Sequence, residues 1–209
     1  MDIMNKINEI NKELTFLYSE AECSLDFGTP FQLLVSTQLA AQCTDARVNQ
    51  VTPKLFELFP DAKAFAALTT QELEVYIRST GFFRNKAKHI IECSKMLVEK
   101  YDGIVPNNME QLLELQGVGR KTANLILGVI YRQPAVVIDT HAGRLSRRMG
   151  LTKNMNPDKV EDDLRKLLDP KTSNLFCHRL VMHGRAVCTA RKPKCNECTL
   201  FDLCDRLYL

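Results

Sequence analysis

The sequence has no apolar run long enough to cross a bilayer. Its longest apolar stretches, Leu125–Tyr131 among them, fall far short of the ~20 residues a spanning helix needs. The opening MDIMNKINEINKEL alternates charged with apolar residues and lacks the apolar stretch of a secretory signal. A cytoplasmic location is therefore expected, associated with the nucleoid in a prokaryote, with no membrane partner. Strand signals are also scarce. Ala135–Ile138 is the one β-branched run, and it is short enough to be a buried extended link instead. There is no internal repeat and no low-complexity segment. Net charge is low as well, at +3, a value many metabolic enzymes share, so the total does not point to nucleic acid. Placement says more: Arg120 adjoins Lys121, Arg147 adjoins Arg148, and Arg191, Lys192 and Lys194 crowd one short loop.

What is present reads as helix. The 209 residues suffice for one or two domains with a real core, and 45% hydrophobic with 25% charged residues is an ordinary globular balance. Ile3, Ile7, Ile10, Leu14 and Leu17 form one apolar stripe at helical spacing. The same period predicts helices over 31–42, 45–59, 71–79, 86–100, 109–115, 121–132, 142–149, 158–168 and 175–187. Breakers fall between them, at Gly28–Pro30, Pro60, Gly81, Gly103–Pro106, Gln133–Pro134, Gly150, Pro157 and Pro170. The expected class is all-α. Composition marks no domain boundary.

Eight cysteines in a chain without a secretory signal point to metal before disulfides. Cys188, Cys195, Cys198 and Cys204 form C-x6-C-x2-C-x5-C, four thiolates in one tail. Four thiolates suit structural zinc or a [4Fe–4S] cluster. One C-x2-C knuckle, where zinc sites commonly pair two, tilts the spacing toward iron–sulfur and leaves zinc open. The loop they enclose, Thr189–Lys194, is basic: either a solvated turn or a finger for phosphate.

Leu112–Ala123 reads LLELQGVGRKTA, a helix end, a Gly-x-Gly turn and a new helix start. Gly117 and Gly119 permit a tight hairpin and close approach of a ligand to backbone. The next helix's N-terminus suits an anion. Lys121 falls in that helix's first turn, where the dipole disfavours a cation. It is either a phosphate-binding lysine or an activated amine nucleophile. Asp139, after the apolar Ala135–Ile138, is either an N-cap for the following helix or a catalytic carboxylate, and the roles are compatible.

Taken together, Leu115–Ala123 (LQGVGRKTA), Ile138–His141 (IDTH), Gln38–Asp45 (QLAAQCTD) and His183–Arg185 with the cysteine tail resemble the endonuclease III family, in the helix–hairpin–helix superfamily of DNA glycosylases. The resemblance runs over nearly the whole chain, in the family's order. It implies two helical domains flanking a DNA cleft: a six-helix domain over 22–132 with its hairpin motif at about 108–132, and a discontinuous domain of 1–21 with 133–209 that ends in the cluster loop. It implies a [4Fe–4S] cluster on Cys188, Cys195, Cys198 and Cys204. Lys121 matches the nucleophilic lysine, Asp139 the essential aspartate, and Asp45 an acidic residue near the lysine. Gln42 matches the glutamine that fills the gap left by an extruded nucleotide, and Phe82 stands where a wedging leucine is common. Gly117, Gly119, Arg120, His141, Arg191, Lys192 and Lys194 fall where DNA is contacted. The implied activity is a monomeric N-glycosylase and abasic-site lyase of base excision repair, acting on double-stranded DNA with damaged pyrimidines or abasic sites. The lysine argues against a relative that removes bases with water alone. Gln116 departs from the family's frequent proline and Phe82 from its leucine, which bears on hairpin rigidity and on lesion preference.

Overall fold

Helix-start chemistry recurs along the chain and sets its architecture. The computed structural model describes residues 2–208, and among them lie eleven α-helices and no strand. They are α1 (Ile3–Leu17), α2 (Pro30–Ala40), α3 (Asp45–Leu58), α4 (Ala62–Ala66), α5 (Thr70–Ile77), α6 (Phe83–Tyr101), α7 (Met109–Glu114), α8 (Arg120–Val129), α9 (Thr140–Arg148), α10 (Pro157–Leu167) and α11 (Ser173–Ala186). Side-chain caps open most of them. Thr29 accepts from Gln32 N at 3.2 Å ahead of α2, and Asp61 from Ala64 N at 2.9 Å ahead of α4. Thr69 and Glu72 form a reciprocal capping box on α5. No helix among the described residues is long and apolar enough to cross a membrane.

The chain divides into two compact units. One runs from Cys23 to Tyr131; the other joins the chain up to Glu22 with the chain from Arg132 on. In the first, α2 is buried almost all round, from Phe31 to Leu39, and packs on α3, α6 and α8. The short α4 was not expected from periodicity. It lodges Phe65, fully buried, edge-on to Phe31 at 5.3 Å and to Phe59 at 5.9 Å. Truncating such a side chain to alanine costs about 3–5 kcal/mol. In the second unit, Ile7, Ile10 and Leu14 of α1 are buried where that helix packs on α10 and α11. Ala135–Ile138 is buried and lies in no helix or strand, so it is a link and not a sheet element. It delivers Asp139 to the start of α9.

Candidate functional site

The hairpin lies between α7 and α8. Leu115 N donates to Leu112 O and Val118 N to Leu115 O, at 3.2 and 3.1 Å, which folds the turn. Gly117 adopts φ +74°, and a Cβ there would sit 3.0 Å from the His89 Cβ, so this position demands glycine twice over. Gly119 has an ordinary φ of −103°, and a Cβ there would face open space. Its backbone does not need glycine; what glycine leaves is room for a group from outside. The turn carries Gln116 in place of proline, and the buried Gln38 steadies it by donating Nε2 to the Gln116 carbonyl at 3.2 Å. The α8 N-terminus has no side-chain cap. Its first amides therefore point outward with the positive end of the helix, as an anion site requires. Lys121 is exposed in that first turn, and Arg120, beside it, is half-buried.

Two further positions of this unit stand in left-handed backbone. Gln42, just past α2, has φ 54°, and Phe82, just before α6, has φ 48°. Such conformations cost about 1–3 kcal/mol and persist where surrounding structure enforces them. Gln42 is exposed, and Phe82 is 65% exposed, unusual for so large an apolar ring. Asp45 opens α3, where its Oδ2 accepts from the Ser24 hydroxyl at 2.7 Å. It thereby ties the segment entering this unit to α3, together with Asn49, whose Nδ2 donates to Ser24 O at 2.9 Å.

In the other unit Asp139 caps α9, with Oδ1 accepting from Ala142 N at 2.7 Å. The expected cap is thus real, and the half-buried carboxylate keeps a second oxygen. His141 packs over Gly184 of α11, where a Cβ would meet its Nδ1 at 2.9 Å. That nitrogen lies 3.2 Å from Arg144 Nη2. Burial lowers the pKa of His178, and the attraction of Asp139 acts against that.

The four tail cysteines line one pocket, together with Arg148, His183 and Lys194. Four thiolates around one pocket are the donor set a [4Fe–4S] cluster takes. Burial first, then the neighbouring cysteines, raises the pKa of Cys198 and of Cys204; a cationic metal core offsets that repulsion. The sulfurs also have partners. Arg148 Nη1 lies 3.3 Å from Cys188 Sγ, and His183 Nε2 lies 3.4 Å from Cys198 Sγ.

Of the adjacent Arg147 and Arg148, Arg148 is turned inward. It is buried, and it donates to Thr189 O and Ala190 O at 2.7 and 2.8 Å. Arg144, one turn earlier, donates to Cys188 O at 2.8 Å and Gly184 O at 3.0 Å. These two arginines fix the start of the basic loop, and their i, i+4 spacing was the signal that could have found them. Arg191, Lys192 and Lys194 sit on that loop, all three exposed. Sequence reasoning also passed over Gln38 and Lys86, each a polar residue lost among helix-periodic neighbours.

Residues 35–170 match the HhH-GPD superfamily of base excision DNA repair proteins, and residues 188–204 match the iron–sulfur binding domain of endonuclease III. Endonuclease III of Synechocystis sp. is 53% identical over 95% of this chain and 91% of that relative. A solved endonuclease III in a non-covalent complex with DNA has a TM-score of 0.94 at 38% identity, covering 99% of this chain and 97% of that one. A trapped endonuclease III–DNA covalent intermediate has a TM-score of 0.94 at 39% identity, with the same coverage. Hairpin, aspartate-capped helix and four-cysteine tail thus stand in one recognised order, and the chain belongs to the HhH-GPD superfamily of base excision DNA repair proteins, as a DNA glycosylase of the endonuclease III family carrying a [4Fe–4S] cluster.

Proposed function

We propose that this chain is a bifunctional glycosylase and abasic-site lyase that removes oxidised pyrimidines from double-stranded DNA, using Lys121 as nucleophile. The observation that carries the reading is the exposed Lys121 in the first turn of an uncapped helix, directly after the Gly117 hairpin. A relative trapped as a covalent intermediate with DNA supports it. Cys188, Cys195, Cys198 and Cys204 are the cluster ligands, and each compact unit serves as one domain.

The chemistry is built from these residues. A base in a duplex is out of reach, so the nucleotide is extruded. Gln42 fills the gap, Phe82 wedges the stack, and the amides of Gly117–Arg120 with Arg191, Lys192 and Lys194 hold phosphates. The Lys121 amine attacks C1′ and the damaged base leaves with the C1′–N bond's electrons, taking up a proton. Ring opening gives a Schiff base between Nζ and C1′. Loss of the acidified C2′ proton then expels the 3′ phosphate, breaking the strand 3′ to the lesion. Water releases the lysine. Asp139 stabilises the positive charge at C1′ and accepts protons, while its cap bond to Ala142 N fixes its direction. Asp45 supports the site through the Ser24 link, and His141 contacts the backbone of the DNA. The cluster supplies a scaffold for the basic loop. The enzyme acts as a monomer in the cytoplasm, on nucleoid DNA.

Borohydride reduction on thymine-glycol duplex tests this. A covalent adduct that disappears in Lys121→Ala is expected; no adduct alongside intact DNA binding would overturn the lyase.

A further inference from the structure

Lys86 is a buried lysine that the proposed chemistry does not use. It lies in the first turns of α6, and only 6% of it is exposed. Burying an ammonium is costly unless its donors are satisfied. Its Nζ donates to Leu39 O at 2.8 Å and to Thr80 O at 2.7 Å. Both acceptors are end-of-helix carbonyls. Leu39 belongs to the last turn of α2, and Thr80 closes the short 3-10 turn of Arg78–Thr80. A cation is the natural cap for such ends, because the carbonyl dipoles converge there. Burial lowers the pKa of Lys86, and the nearby Cys43 acts against that.

The residues just beyond each carbonyl give the lysine a purpose. Three residues after Leu39 comes Gln42 at φ 54°, and two residues after Thr80 comes Phe82 at φ 48°. Cys43, between Gln42 and α3, lies close enough to act on Lys86. The two left-handed, exposed residues thus spring from backbone segments held within reach of one ammonium. The Gly81 preceding Phe82 also has a positive φ, at 71°, and the Phe82 carbonyl accepts from the Lys86 backbone N at 3.1 Å, so both main chain and side chain of Lys86 hold this turn. Cutting the tether leaves both residues in place in the sequence but frees their turns to relax.

We propose that Lys86 is a positioning residue that locks the Gln42 and Phe82 turns together, so that gap filling and wedging occur as one concerted insertion. The proposal rests on the reading of those two residues as the DNA-inserting pair. It assigns Lys86 no contact with DNA. The expected loss is therefore in the nucleotide-extrusion step and not in the lysine chemistry.

The test measures extrusion and chemistry separately. Extrusion is read by 2-aminopurine fluorescence beside a tetrahydrofuran abasic analogue in duplex DNA. Chemistry is read by borohydride trapping on two substrates, an abasic site in full duplex and one in an unpaired bulge that needs little extrusion. Lys86→Met keeps length and removes the cation, and should cut both the fluorescence rise and duplex trapping about tenfold, while bulge trapping stays within about twofold. Lys86→Arg, which keeps the charge and several donors, should recover most of the loss; it also serves if Lys86→Met folds poorly. Adding Lys86→Met to Gln42→Ala/Phe82→Ala should cost less than about a further twofold, because the tether then has nothing left to position. Equal losses on both substrates, or a full tenfold on top of the double variant, would overturn the proposal. If Gln42→Ala/Phe82→Ala impairs extrusion and Lys86→Met does not, only the tether is refuted. If the double variant itself extrudes normally, the reading beneath it fails, and the tether with it.

Discussion

Two helix N-termini carry the proposed chemistry, and they are built in opposite ways. The start of α9 is closed by its own Asp139, whose Oδ1 takes the Ala142 amide at 2.7 Å. The start of α8 has no side-chain cap and holds a cation, Lys121, in its first turn. The first is a finished structural feature that doubles as a reactive group. The second is left without a side-chain cap, as a site for an anion from outside requires. Function and stability should therefore separate cleanly at α8 and stay entangled at α9.

The largest effect should come at α8. Lys121→Ala is expected to lower strand nicking by at least ~10³-fold, the scale of losing a covalent nucleophile, while changing unfolding free energy by no more than about 0.5 kcal/mol. Single-turnover nicking and denaturant unfolding on the same samples check this. A large stability loss would mean that Lys121 supports the fold.

Asp139 should show the opposite coupling. Asp139→Asn keeps a cap acceptor and removes the charge, so base removal should fall by about 10²–10⁴-fold with stability nearly preserved. Asp139→Ala should lose the same activity and a further ~1 kcal/mol of stability, because the Ala142 amide loses its partner. Equal stability of the two variants would show that the cap is dispensable.

The hairpin glycines sharpen the contrast at α8 itself. Gly117→Ala meets a positive φ and the His89 side chain, and should destabilise by ~1–2 kcal/mol. Gly119→Ala should leave the melting temperature almost unmoved and weaken duplex binding, since its Cβ fills the space kept for phosphate. Reversal of that order would break the account of the open N-terminus.

The smallest effects belong to surface charge. Neutralising Arg191, Lys192 and Lys194 together should reduce the slope of log affinity against log salt by up to ~0.9 for each phosphate no longer neutralised. A third helix start, at α5, gives a pH signature. The Thr69 amide and hydroxyl hold Glu72 below its ordinary pKa. Its stabilising contribution is then fully present above the unfolded value and is lost as pH falls through the lowered folded one. Glu72→Gln should flatten the acid limb of the stability curve slightly.

Much of the fold and site was legible in the sequence, for reasons particular to each element. The α1 stripe and the α10 period announce themselves because one helix face is buried and the other wet. The 121–132 helix, by contrast, stops at Val129, with Arg132 in left-handed backbone at φ 53° two residues before Pro134. The short α4 is too brief for any period to show, and only the Asp61 cap hints at it. Asp139 and the cysteines were visible as residue types, with a cap and a metal ligand set as credible readings from the start. Lys86 and Arg148 were not. Each looks like one more surface cation on an amphipathic helix until the carbonyls that surround it are located, and most of those come from chain segments roughly 40 residues away.

The central claim is that the uncapped start of α8 presents a covalent nucleophile. Borohydride trapping of the protein on thymine-glycol duplex, followed by peptide mapping, tests it most directly. The account predicts one DNA adduct, on Lys121, absent from Lys121→Ala. An adduct on another residue, or none while the duplex is still bound and the base still removed, would contradict it.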